Sequence, residues 1–299
     1  MKKGVSAIII VHDQVSLLKK CLSSLTWTDE VIILDLASHD DIKVVATKYG
    51  AIYKQSSLVS IVEKIRQDSL KYASYEYILF IDPDETIPSS LATLIRTKIS
   101  EGGVDYFSTP RQNFVFGAWV KYSRWWPDYQ VRIFRHNSVI WPTTLHAQPE
   151  LKGVEYRLPA EPEYAIIHQN YLSIDEWLDK NRRYAKADAQ DRLLSSHPYT
   201  ILDAAKLSTS EFMSRFFAGE GYRDGMRGLV LSILQSFYYF LVYAYYWEEK
   251  KFAELETTEA IKDFPRSWFS HNLRETLYWQ KLKSPLKTIK AKLVRRMIA

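Results

Sequence analysis

Short apolar runs bounded by polar turns alternate, along residues 1–100, with stretches whose apolar positions repeat at helical spacing. Residues 5–11 read as a buried strand, followed by the polar turn His12-Asp13-Gln14 and an amphipathic helix over 15–26. Val31 to Leu34 is a second apolar strand ending at Asp35. Ser38-His39-Asp40-Asp41 carries helix-start chemistry, and the helix from Ile42 to Tyr49 is closed by Gly50. Ala51-Ile52-Tyr53 is a short strand, 58–74 a helix, 77–81 a strand, and 104–109 another. This alternation predicts an α/β fold with a mostly parallel sheet, flanked by helices and joined by right-handed crossovers.

The stretch Ile78 to Ile81 runs directly into Asp82-Pro83-Asp84-Glu85. Pro83 has no N–H for a ladder, so the sheet stops there. Asp82 and Asp84 then stand at a strand's carboxyl end, where open α/β sheets bind ligands. Two carboxylates on one turn repel unless a cation lies between them. Hard oxygen donors suit Mg²⁺ or Mn²⁺, ions that bridge to phosphate oxygens. Asp82 and Asp84 are therefore assigned to a divalent metal and a diphosphate, against the alternative of a solvated acidic turn. Neither a Gly-x-Gly-x-x-Gly nor a P-loop is present, so a dinucleotide oxidoreductase and a P-loop NTPase are disfavoured. The ends of the first two strands, with Asp13 and Asp35, are left to hold a nucleoside; a turn or capping role is the alternative for Asp35.

Composition narrows the setting. The 299 residues are 46% hydrophobic and 25% charged, as in a globular chain. Cys21 is the one cysteine, which excludes a disulfide framework and fits a reducing compartment. The net charge of +5 is concentrated in Lys281 to Ala299, which holds bases and no acid. The remainder is near neutral, so no nucleic-acid partner is expected. Met1-Lys2-Lys3 and the apolar run after it have a signal-like start, but His12-Asp13 ends the run and a first strand is the better reading.

These motifs, in order, resemble the family-2 glycosyltransferases of GT-A fold. The carriers are Ile8 to Gln14, Asp35-x-x-Ser38-x-Asp40 and Asp82-Pro83-Asp84-Glu85. Thr109-Pro110-Arg111-Gln112-Asn113 with Gly117, Trp126 to Arg135, and Gly221-Tyr222-Arg223-Asp224-Gly225 resemble the subgroup that adds glucose to the lipopolysaccharide inner core. The resemblance covers roughly residues 4–250. It implies an inverting, metal-dependent transfer of a hexose, glucose in the subgroup, from a nucleotide sugar such as UDP-glucose to a lipid-linked saccharide. By position it makes Asp128 the catalytic base. The chain departs from the family pattern at His12-Asp13-Gln14, where Asn-Glu-Glu is usual, and at Ala37-Ser38-His39-Asp40, where Gly-Ser-Thr-Asp is usual. His146-Ala147 stands where the subgroup has His-Glu.

Residues 104–150 are expected to complete the site. Arg132 or Arg135 clamps the diphosphate, with Arg132 assigned and the other solvated. His146 and His168 are candidate metal or diphosphate contacts, His146 being assigned to the metal. The aromatic and basic run to Trp126 offers flat faces for sugar, and Trp125 and Trp126 are assigned to the acceptor; a hydrophobic lid is the alternative.

Residues 1–170 are thus expected to form the catalytic domain and 171–299 a helical region. A polar helix over 171–195 is broken by His197-Pro198. Leu229 to Trp247 carries no charge but many tyrosines, which suits docking at a membrane boundary ahead of a core helix or a span. Pro285 to Ala299 is basic and amphipathic, as for a segment lying on anionic lipid. The expected location is the cytoplasmic face of the inner membrane, peripheral or monotopic. Two rivals stay open: a sugar-1-phosphate nucleotidyltransferase, and a membrane-associated saccharide-binding or scaffold protein that keeps the fold without turnover.

Overall fold

The structure is a computed structural model of the chain and describes residues 2–59, 63–142 and 149–282. The chain divides into two compact units, Met1–Trp119 with Trp126–Asn170, and Val120–Trp125 with Tyr171–Ala299.

In the first unit β1 (Lys2–Val11), α1 (Val15–Ser23), β2 (Glu30–Leu36), α2 (Ile42–Lys48), β3 (Ile52–Ser56), α3 (Glu63–Ser69) and β4 (Tyr75–Phe80) follow one another as the periodicity predicts. α1 is shorter than expected, ending where Ser24 caps it. The helix expected over 58–74 is described as α3 and a 3-10 turn at Leu70–Tyr72. After β4 come β5 (Glu85–Thr86), α4 (Ser89–Glu101), β6 (Tyr106–Thr109), β7 (Arg111–Val115), β8 (Ala118–Trp119), β9 (Gln130–Arg135), β10 (Val139–Ile140), β11 (Glu150–Leu151), β12 (Glu155–Arg157) and β13 (Ile166–Tyr171).

The large sheet has the order β12-β6-β9-β4-β1-β2-β3. β1 pairs in parallel with β2 and β4, so the strand order reverses direction there, which makes the carboxyl ends of β1 and β4 a switch point. β9 lies antiparallel to both β4 and β6, a reversal that the run of alternations did not predict. A smaller sheet, β5-β13-β7-β8, carries Glu85 opposite His168.

Both faces of the large sheet are covered. Val5, Ala7, Ile9 and Val11 of β1 join one apolar cluster with α1, α2 and α4, while Ile8 and Ile10 join another containing Leu70, Phe134 and Trp141. Strand side chains alternate between faces, so a strand buried on both sides must be apolar at nearly every position. Each such Ile or Leu contributes about 1.5–3 kcal/mol on burial. Cys21 is fully buried in this core, as its helical spacing predicts. The rigid sheet fixes the loops at its carboxyl edge, and the candidate chemistry stands on those loops.

The second unit is helical: α5 (Ile174–Leu193), α6 (Ile201–Met213), α7 (Gly225–Glu249) and α8 (Thr258–Leu282). Thr200 and Asp203 form a capping box that starts α6. Ala185, Ala189, Tyr199, Ala204, Val242 and Tyr246 make its core. Residues 120–125 belong to this unit because the Asp224 carboxylate accepts the Tyr122 amide at 2.9 Å and the Gly219 carbonyl accepts the Ser123 amide at 2.7 Å. Gly228 is required where it stands, since a Cβ there would lie 1.8 Å from the Gly221 carbonyl oxygen.

Residues 221–249 form a helical stretch long and apolar enough to cross a membrane by length and composition, and 22% of its apolar part is buried. Met226, Ile233, Phe237 and Trp247 of α7 are exposed, at spacings that return to one side of the helix. The basic segment expected over 281–299 lies outside the described residues, apart from the backbone at the end of α8.

Candidate active site

Asp82 follows the last residues of β4 and stands at the switch point, as its place after the apolar run predicts. Its carboxylate pairs with Arg132 on β9, and the Arg66 guanidinium lies 3.6 Å from its other oxygen. Arg132 bridges to Glu85, 2.7 Å away and fully buried. Glu85 also accepts from Arg111 at 3.1 Å. Arg111 reaches Asp128 at 2.6 Å, and Asp128 further accepts from Asn113 at 3.0 Å and Gln130 at 2.8 Å. Asp84 lies 3.4 Å from His168 Nε2. Asp82, Glu85 and Asp128 thus face Arg66, Arg111 and Arg132, while Asp84 faces His168.

The network fixes proton positions. The Asp128 carboxylate only accepts, so the Asn113 amide turns its NH₂ toward it. Asn113 Oδ1 then faces His168 Nδ1 at 2.6 Å and accepts its proton. In the neutral ring Nε2 is left with its lone pair directed at Asp84. An imidazole whose other nitrogen donates to a fixed oxygen is the usual arrangement of a metal-binding histidine. Asp84 and His168 therefore fit a divalent cation, with one oxygen and one nitrogen donor on a sheet edge. Asp82 fits less directly, because guanidiniums occupy both sides of its carboxylate.

Charges set the acidities. Burial opposes ionisation of Asp82, but Arg132, Arg66 and Arg111 outweigh it and hold the carboxyl well below its usual range. Asp128 is also lowered: burial is outweighed by Arg111 and by the Asn113 and Gln130 hydrogen bonds. It is ionised at neutral pH, the state a base requires, and Arg111 at the same time restrains its proton affinity.

Asp35 is the next-to-last residue of β2 and is 4% exposed. Its oxygens accept from the Ser38 amide at 3.0 Å and the Tyr53 hydroxyl at 2.7 Å, so the turn role weighed from sequence is present. That carboxylate, with burial, pushes the Tyr53 phenol up to about 12. Asp13 accepts from the His39 and Asp40 amides on one oxygen. Burial opposes its charge, but these amides, the His39 ring and the His12 field hold its pKa below the usual carboxylate range.

Arg132 is buried between carboxylates, 4% of its side chain being exposed. It thus holds the acidic turn in place of standing open to solvent. Arg135 leaves this cluster for Glu76 and the Tyr77 hydroxyl and is 37% exposed. Trp126 packs edge-on against Trp119, ring centres 5.1 Å apart, in the first unit. Trp125 belongs to the second unit, where the Arg215 guanidinium lies 5.4 Å from its ring centre. His146 lies outside the described residues. Glu85, Arg111 and Asn113 were visible inside their motifs, but their linking role depends on β13 pairing with β5 on one side and β7 on the other, and on no local pattern.

Parts of the chain are similar to known proteins. Residues 6–151 match the family model described as glycosyl transferase family 2. A TPR repeat-containing protein of Synechococcus elongatus is 31% identical over 214 residues, which cover 68% of this chain and 51% of that protein. The chain therefore spans about half the length of that curated relative. Among solved structures, TarS 1–349 of S. aureus aligns at 17% identity over 93% of this chain and 81% of that one, with a TM-score of 0.44. The mannosyltransferase PcManGT from Pyrobaculum calidifontis, in complex with GDP-Man and Mn²⁺, aligns at 12% identity over 99% and 88%, with a TM-score of 0.42.

Proposed function

We propose, from the premise that residues 6–151 form a glycosyl transferase family 2 domain, that this protein is an inverting, metal-dependent hexosyltransferase. The donor is a nucleotide sugar, UDP-glucose by the subgroup resemblance, and the acceptor is a lipid-linked saccharide such as lipopolysaccharide inner core. The observation that carries the reading is the linked set Asp128–Asn113–His168–Asp84 at the carboxyl edge of β4.

Asp35 and Asp13 stand at the nucleoside end. Asp84 and His168, with Asp82 beside them, would hold a divalent cation, Mg²⁺ or Mn²⁺, which when bound would supply positive charge to offset that growing on the leaving diphosphate. The acceptor hydroxyl attacks the anomeric carbon from the face opposite the nucleoside diphosphate. Its oxygen forms the new bond as the bond to the diphosphate breaks, and its proton passes to Asp128. Arg111 and Asn113 hold the carboxylate in place. Arg132 acts on Asp82 and Glu85, which keeps the turn rigid. Trp126 offers an aromatic face in the first unit, and Trp125 is assigned to the acceptor from sequence alone.

The acidity of Asp128 gives a pH prediction. A base with a lowered pKa keeps activity as pH falls until that pKa is crossed. Arg111→Gln removes the neighbouring cation, so the acid limb of kcat/KM moves to higher pH. Arg111→Lys moves it less. An unmoved acid limb in Arg111→Gln would show that Asp128 is not the titrating base.

Membrane association is the second part of the reading, supported by the exposed apolar side of α7. Lipid docking buries such a face and anchors aromatic ends at the boundary. The double substitution Ile233→Glu/Phe237→Glu is expected to lower co-sedimentation with phosphatidylglycerol vesicles at least about 10-fold. Equal sedimentation of variant and wild type would remove α7 from the docking surface.

The non-catalytic scaffold has one observation in its favour: the Asp82 and Asp128 carboxylates are both engaged by arginines. Incubation with UDP-glucose and Mn²⁺ without acceptor separates the two. The enzyme releases UDP slowly and stops in EDTA, whereas the scaffold releases none with or without metal.

A further inference from the structure

β1 and β2 run in parallel with Val11 opposite Asp35, so the loops that follow them leave the same edge of the sheet. His12 and Asp13 stand on the first loop and His39 on the second. These are the positions at which the sequence departs from its family pattern, and the fold brings them together. Among the described residues they form a cluster whose ligand atoms all lie within 4.8 Å of one another.

The surrounding hydrogen bonds orient each member. His12 Nδ1 lies 2.9 Å from the Leu36 carbonyl oxygen, which can only accept. The proton is therefore on Nδ1, and Nε2 presents its lone pair in the neutral ring. That nitrogen is 3.6 Å from Asp13 Oδ2. His39 Nδ1 is 3.2 Å from the same oxygen. Asp13 Oδ1 is engaged elsewhere, accepting the His39 amide at 2.6 Å and the Asp40 amide at 3.1 Å. The Asp13 amide in turn donates to Ser38 Oγ at 2.8 Å. One carboxylate oxygen and two imidazole nitrogens thus converge, while backbone groups hold the opposite side of His12 and of Asp13. A lone pair facing a carboxylate oxygen is repulsive until a cation lies between them. This outer shell is the kind that orients metal-binding histidines and carboxylates.

Distances favour a tetrahedral ion. Bonds of about 2.0–2.2 Å place neighbouring ligands of tetrahedral zinc about 3.3–3.6 Å apart. The two contacts to Asp13 Oδ2, 3.6 and 3.2 Å, are close to that edge. The remaining closure falls to His39, whose side chain is 88% exposed. Two imidazoles and one carboxylate select for zinc and its neighbours over Mg²⁺, which prefers oxygen donors and octahedral geometry.

We propose that His12, Asp13 and His39 form a second metal site, selective for Zn²⁺ and separate from the Asp84/His168 position. Three protein ligands leave a fourth position open to water or to a bound group. The site takes Asp13 Oδ2 for the metal, so with zinc bound the nucleoside end is left to Asp35; its geometry does not depend on the glycosyltransferase reading.

The test uses the full chain in an Asp84→Ala background, which disables the first position. The protein is stripped with chelator and titrated calorimetrically with ZnCl₂ alone. The expected result is one bound Zn²⁺ per chain, weakened at least about 10-fold by adding His39→Ala. Because His39 is exposed, the substitution leaves the fold intact, which circular dichroism checks. His39→Cys is expected to retain the metal and, with Co²⁺, to gain a thiolate charge-transfer band that the histidine protein lacks. The proposal is overturned if the Asp84→Ala protein takes up no Zn²⁺ at neutral pH, or if His39→Ala binds it as tightly.

Discussion

Asp128→Asn is expected to lower kcat about 10²–10⁴-fold, the usual contribution of a positioned general base, with nucleotide affinity unchanged. The replacement keeps the size of the side chain and its place beside Arg111, Asn113 and Gln130. It removes the charge and the capacity to take a proton. The proposed function gives donor binding to other residues, at the carboxyl ends of β1, β2 and β4, so KM for the donor is expected to stay close to the wild-type value. A loss confined to kcat marks an interaction made in the transition state. A matching rise in donor KM with kcat retained would instead make Asp128 a binding residue. Steady-state kinetics with the donor varied at saturating acceptor distinguish the two.

Arg132→Met produces the largest loss of stability, about 3–5 kcal/mol, because removing one partner leaves buried charge uncompensated. Arg132 is the common partner of Asp82 and Glu85, and Glu85 is fully buried. Arg111 stays beside Glu85 and acts on Asp82 from farther off, and among the described residues Arg66, at 3.6 Å, is the cation left at ion-pair distance from Asp82. For a chain of this size the melting midpoint should fall on the order of 10 °C. The effect depends on pH in a defined direction. The lowered Asp82 pKa means its stabilising contribution is present above the unfolded carboxylate value and is lost as pH falls through the folded value. The gap between wild type and Arg132→Met is therefore widest at neutral pH and narrows in acid. Calorimetric melting at neutral and acidic pH measures both, and a gap that widened in acid would contradict the assignment.

The same residues show what sequence makes legible. A strand buried on both faces must be apolar throughout, so β1, β2 and β4 could be read from their composition, and Asp82-Pro83-Asp84-Glu85 from the abrupt end of that pattern. Cys21 could be placed in the core from helical spacing. β9 could not be oriented, because Val131 to Arg135 reads the same in either direction and its partners are set by distant pairing. For that reason Arg132 was legible as a phosphate clamp and proves to be a buried tie between Asp82 and Glu85. Arg135, on the same strand, turns to Glu76 and the Tyr77 hydroxyl. Glu85 sat in plain view beside the acidic pair, but its partners are remote in sequence and its burial comes from β13. His12 and His39 were visible as departures from a pattern; that they meet follows from the parallel register of β1 and β2. Trp125 and Trp126 are neighbours in sequence, yet the chain passes from one unit to the other between them.

The most direct test of the donor site is calorimetric titration of UDP into the protein with Mn²⁺ and again in EDTA, for wild type and Asp84→Ala. The account predicts binding by the wild type that requires Mn²⁺ and is lost in Asp84→Ala. UDP binding of equal strength in EDTA, undiminished by Asp84→Ala, would contradict it.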